Sequence, residues 1–235
     1  MRFFSLFIFI LFFQNFSISQ EKIIDAESID SLYREDQFYF SITYNILQNL
    51  PTNVTSTKFS PGLSFGFLRD MPLNKNRNIA IALGVGFSTN IYENNLYIYD
   101  VNNGSQGIVR RYEPILDDTY YDKNKLSLSY LEIPIEFRWR TSTPESHKFW
   151  RIYSGFKIGY LVSDRYVFSN DVTTNIIKKN SDLNKLQYGC YLSAGWNSIN
   201  VYAYYSLNPI FKSGSIAGNN IDINTLNLGF MFYIL

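Results

Sequence analysis

Five ionisable residues sit at alternate positions on two neighbouring stretches. Glu132, Glu136 and Arg138 lie in LEIPIEFRWR, and Arg151 and Lys157 lie in WRIYSGFK. Even spacings put each set on one face of a strand. Carboxylates facing guanidinium and ammonium groups can pair, line a polar path, or trade protons in catalysis. A hairpin turning through Thr141 to Phe149 would set Glu132 opposite Lys157 and Arg138 opposite Arg151, with Glu136 diagonal to Arg151. Buried charges must pair or change protonation, so an internal ion-pair network is the structural expectation. A gated polar path is the functional rival.

Catalysis has little else to build on. A hydrolase or acyltransferase needs a nucleophile, a base and an acid clustered together. The single histidine, His147, falls in the short link between those two stretches. Asp100, Glu113, Asp117, Asp118 and Asp122 share one long connection with Arg110, Arg111, Lys123 and Lys125, which reads as a solvated mixed-charge loop. Their spacing fits no calcium loop, and no zinc spacing or phosphate-cradling glycine loop occurs. The expectation is a non-enzyme without a cofactor, metal or small-molecule substrate. The same connection holds Tyr112, Tyr120 and Tyr121, a residue type favoured where proteins dock, and these are candidate partner contacts. Tyr92 and Tyr97, at its start, read as part of an aromatic girdle.

The elements that carry these residues repeat one pattern. Eight segments alternate large apolar residues with polar or small ones, from FYFSITYNI at Phe38 to TLNLGFMFYI at the end. In the fourth, Leu131, Ile133, Ile135, Phe137 and Trp139 face one way, while Glu132, Glu136, Arg138 and Arg140 face the other. Nine of the 13 glycines fall inside these segments, all on the polar face. Glycine on the outside of a soluble sheet packs nothing. Inside a narrow bore, small residues make room for large ones, here inward Tyr39, Tyr153, Tyr191, Tyr202 and Tyr204. The apolar face then meets lipid. Long connections (Glu93 to Lys125, Ser163 to Lys185, Asn208 to Asn224) alternate with short ones, as in outer-membrane barrels. Pro134, inside the fourth segment, is read as a local bulge. The predicted fold is all-β: an eight-stranded antiparallel transmembrane β-barrel, an up-and-down meander closed by pairing the last strand with the first.

Composition agrees. Lys plus Arg number 21 against 20 acidic residues, which gives no pull toward nucleic acid. Aromatics reach 18%, and mean hydropathy is only −0.12, a value suited to strands apolar on one side. Arg2 followed by the apolar run Phe3 to Phe13 reads as a signal peptide over 1–19, too short to span as a helix. Residues 20–36 form a polar lead-in and 37–235 the barrel. The one cysteine, Cys190, excludes an internal disulfide. The expected location is the outer membrane, in contact with its lipid, with both termini periplasmic.

YLEIPIEFRWR followed by FWRIYSGFKIGYL, together with FLRDMPLNKNRNIAIALGVGFSTN, resembles the PorT (SprT) family of small outer-membrane barrels of the Bacteroidota. The resemblance runs from about Gln37 to the end. It implies a part in the type IX secretion system, which exports proteins across the outer membrane and in some species supports gliding. It also implies other secretion components as partners, and supplies no catalytic residues. The alternative is a general small barrel that anchors the envelope or binds a ligand through its loops.

Overall fold

The computed structural model describes residues 35–56, 58–102, 104, 107–116, 119–141 and 149–234. The expected signal peptide, the lead-in up to residue 34 and His147 lie outside them. Thirteen strands follow in order: β1 (Gln37–Gln48), β2 (Pro61–Pro72), β3 (Ile79–Glu93), β4 (Leu96–Asn102), β5 (Ile108–Pro114), β6 (Lys123–Arg140), β7 (Trp150–Ser169), β8 (Thr174–Lys178), β9 (Leu186–Trp196), β10 (Ile199–Ser206), β11 (Ser215–Ile216), β12 (Asn219–Asn220) and β13 (Asn224–Ile234). No α-helix occurs among the described residues.

Eight of these strands close a cylinder. The order is β6-β3-β2-β1-β13-β10-β9-β7, and β6 also pairs with β7. All neighbours are antiparallel. The closing seam joins β1 to β13 over eleven residue pairs, from Phe38↔Ile234 to Gln48↔Asn224. Closure satisfies each strand's backbone groups on both sides, which hydrocarbon cannot do.

The faces separate as the alternation requires. Phe38, Phe65, Val85, Leu131, Ile152, Leu192, Val201 and Phe230 are exposed, and the sole thiol, Cys190, lies exposed among them. Tyr39, Tyr153, Tyr191, Tyr202 and Tyr204 are buried in the bore. Glycine makes that possible at specific points. A Cβ at Gly155 would run first into the Tyr191 side chain, its hydroxyl at 2.6 Å. A Cβ at Gly86 would collide with the Tyr39 hydroxyl.

Two local features differ from expectation. Pro134 does not bulge the strand. β3 and β6 keep one register on either side of it (Leu83↔Ile135 and Gly86↔Glu132), and only the pairing between is skipped. Proline has no N–H to give to the ladder, so one interrupted rung suffices. The bulge is on β7, where Tyr130 pairs with Leu161 and Ser129 with Ser163, leaving Val162 over. That extra residue reverses which side chains of β7 face inward.

The long connections are also more ordered than loops. β4–β5 and β11–β12 are hairpins, and β8 extends the sheet from the outer part of β7. Their apolar side chains form one core over the wide-loop end of the barrel, with Leu96, Ile98, Tyr112, Phe168, Ile210 and Ile223 among its members. Tyr92 also points into this core instead of joining a girdle.

Replacing Gly155 with Ala is expected to cost about 1–3 kcal/mol of stability through overpacking. The cost should nearly vanish in a Tyr191→Ala background. Urea unfolding in detergent, followed by circular dichroism, measures both, and an equal cost in the two backgrounds would reject the packing account.

Candidate functional site

β6 and β7, paired neighbours in the wall, supply most of the lumen charges, and β2 adds Asp70. The hairpin register differs by two from the expected one: Glu132 stands opposite Gly159, Pro134 opposite Lys157, Arg138 opposite Tyr153, and Arg140 opposite Arg151. Pairing continues to Arg140 and Arg151, two residues further along β7 than the expected register allows. Lys157 nevertheless reaches Glu132 along the diagonal, Nζ to Oε2 3.0 Å, an ion contact whose angles miss those of a directed hydrogen bond. Its ammonium also donates to the Tyr202 hydroxyl at 3.1 Å and lies 5.5 Å from the ring centres of Tyr191 and Tyr204. Ser88 donates to the other Glu132 oxygen at 2.7 Å.

Nearer the short-turn end, the centre of the network is Asp70. Arg140 grips it with two bonds, Nη1 to Oδ1 and Nη2 to Oδ2, both 2.8 Å. Arg138 Nη1 adds a third at 2.9 Å, and its Nε donates to Glu136 at 2.8 Å. The second oxygen of Glu136 accepts from the hydroxyls of Tyr191 and Tyr233 at 3.0 and 2.9 Å. Both arginine side chains and Asp70 are fully buried. The chain entering β1 seals this end: Arg138 Nη1 donates to the Glu35 carbonyl, and the Asp70 N–H donates to Asp36 Oδ1.

Arg151 is solved differently. It is buried, and its Nε and Nη1 have no hydrogen-bond partner. Its guanidinium instead lies 4.4 Å from the ring centre of Phe149 and within 6 Å of those of Tyr153 and Tyr233. A weakly hydrated, delocalised cation over aromatic faces is a workable burial.

Sequence reasoning missed Asp70 and Arg140 as network members. Asp70 lies beyond the last alternating apolar residue of its segment, yet β2 continues to Pro72 and turns its side chain inward. Arg140 carried the signal, since it shares the lumen-side parity of Arg138.

Between the charges and the cap lies a small polar cavity of about 30 Å3, bordered by Ser41, Ser88, Glu132, Lys157, Gln187 and Tyr202. That is room for about two waters. Above it the cap core closes the bore. Tyr112 is buried there, donating to Asp182 at 2.8 Å and accepting from Asn180 at 3.0 Å. Burial, and then the Asp182 carboxylate, raise its hydroxyl pKa. Tyr121 is half-buried against Phe168. Of the three candidate contact tyrosines only Tyr120 stands well out, with Leu116 and Ile108 also exposed on the same cap. Among the described residues no group of His, Cys, Asp and Glu could hold a metal ion.

A closed, side-chain-filled cylinder with a greasy exterior and buried charges within defines a small transmembrane β-barrel. The family model described as outer membrane protein beta-barrel domain matches residues 14–212, and the chain belongs to that family. No curated protein matches the chain.

Asp70→Asn leaves buried Arg140 without a carboxylate partner and takes one of the two from Arg138. It is expected to cost about 3–5 kcal/mol, measured by urea unfolding. Glu132→Gln, which leaves Lys157 its tyrosines, should cost less. Equal losses would show that Asp70 is not the hub. In planar bilayers the wild-type barrel should show no steady open channel.

Proposed function

We propose that this protein is a non-enzymatic accessory barrel of the type IX secretion system, with both termini in the periplasm, that works through contacts with other secretion components. The observation that carries this reading is the filled lumen. Ion pairs occupy one end, an apolar core the other, and the space between admits about two waters. An exported polypeptide has no route through such a bore, so a role in export must run through the outer surfaces. The resemblance of YLEIPIEFRWR and FWRIYSGFKIGYL to the PorT family supplies the system. Tyr120, Leu116 and Ile108 are exposed on the cap and offer partner contacts.

The family match is equally consistent with a general small barrel that serves envelope integrity or adhesion. Deleting the gene separates the two. Loss of export of proteins that bear the secretion signal, restored by the wild-type chain and reduced with Tyr120→Ala plus Leu116→Ala, supports the secretion reading. Normal export with a leaky envelope would replace it with the alternative.

A further inference from the structure

The outer wall above the lipid-facing band carries an ordered set of cations that the lumen does not explain. Strands β3, β6 and β7 rise past the band, and β8 widens the wall. Outward residues align in rows across it. Phe87, Leu131 and Tyr160 make the last row that is apolar throughout, with Ile91, Val162 and Ile176 scattered above it. Thr89, Ser129 and Ser163 make a hydroxyl row above it. Then Arg165 stands between Ser127 and Lys178, and Lys125 lies one row higher beside Val167. Lys123 completes the column on β6. In these rows the one carboxylate is Glu93, opposite Lys125.

Arg165 and Lys178 are directly cross-strand, an arrangement in which like charges repel. Neither they nor Lys123 and Lys125 belong to any ion pair among the described residues. Arg165, Lys178 and Lys123 are exposed, and Lys125 is half-exposed. Such a set lowers its energy by gathering an external anion.

Height says which anion. From Trp139 to Leu131, β6 advances eight residues, ~27 Å along the strand and ~21 Å along the membrane normal at a ~40° tilt. That nearly fills the ~25 Å apolar band of a membrane barrel, so Leu131 marks its edge. The Arg165 row begins four residues further on, ~10 Å above that edge by the same arithmetic. The headgroup layer is ~5–7 Å deep. Long basic side chains turned back toward the membrane reach it, their stems covering apolar wall.

We infer that Lys125, Arg165 and Lys178, with Lys123 above them, form a binding site for the phosphorylated headgroup of a membrane lipid in the leaflet at the long-loop end. The hydroxyl row beneath supplies donors for a headgroup's neutral oxygens. The site is independent of any role in secretion.

Native mass spectrometry of the folded, detergent-purified protein tests this with dioleoyl phosphatidic acid against dioleoyl phosphatidylcholine. Retention of the phosphatidic acid should exceed that of the zwitterionic lipid at least ~ten-fold, and each of Arg165→Gln and Lys178→Gln should weaken it about five-fold. Lys125→Arg plus Lys178→Arg should retain it, which separates lost charge from lost fold. Equal retention of both lipids, or retention unchanged in the glutamine variants, would overturn the site. Displacement by an equal concentration of inorganic phosphate would reassign it to a free anion and overturn the lipid.

Discussion

Hydrocarbon offers no partner to a backbone N–H or C=O, and that constraint orders the whole molecule. A sheet in lipid must have no edge, so β1 must find β13 and complete the ring. Once eight strands close, the bore is only as wide as side chains can fill. Residues inside must then pack as tightly as a soluble core while remaining polar enough to leave the greasy side chains outside. Glycine opposite tyrosine meets the steric half of that demand, as at Gly155 and Tyr191. Charge opposite charge meets the other half.

The two ends of the bore are closed by different physics. At the short-turn end, Asp70 binds two arginines and the incoming chain at Glu35 and Asp36 completes the seal. This closure is directional, and it fails if one member is lost. At the long-loop end the seal is apolar, assembled from hairpins that pack against the raised walls of β6 and β7. There even the free edge of β4 is satisfied: Ile98 N–H donates to the Tyr166 hydroxyl, and Asn175 and Asn124 donate to the Ile98 and Leu96 carbonyls. A hairpin so tied belongs to the fold and is no tether.

Much of this was legible in the sequence because the strand period is strict. Large apolar residues at every second position gave the faces, and the glycines on the opposite positions indicated a narrow bore. Register was less legible, because ladder pairing leaves no mark on composition. A two-residue slide keeps every side chain on its own face, so the Glu132–Lys157 contact survives it diagonally while Arg138 exchanges Arg151 for Asp70. The Val162 bulge was invisible for a related reason. LVSDRYVF shows no irregular residue, yet the one left over turns Tyr166 and Phe168 into the cap and Arg165 out of it. Tyr112 looked like a docking residue because tyrosine is a type favoured where proteins dock and it lies well inside a long connection. That connection is instead a hairpin with one face on the cap core, where Tyr112 meets Asp182 and Asn180.

The position of Cys190 has a redox meaning. Its sulfur lies on the outer wall of β9, opposite Phe156 and Tyr205, within the band that meets acyl chains. Thiol–disulfide exchange needs a partner that can approach the sulfur, and a side chain packed among acyl chains is out of reach of the water-borne thiols and disulfides that would attack it. Once inserted, the chain keeps its single reactive atom dormant, shielded by solvent choice instead of by a partner cysteine.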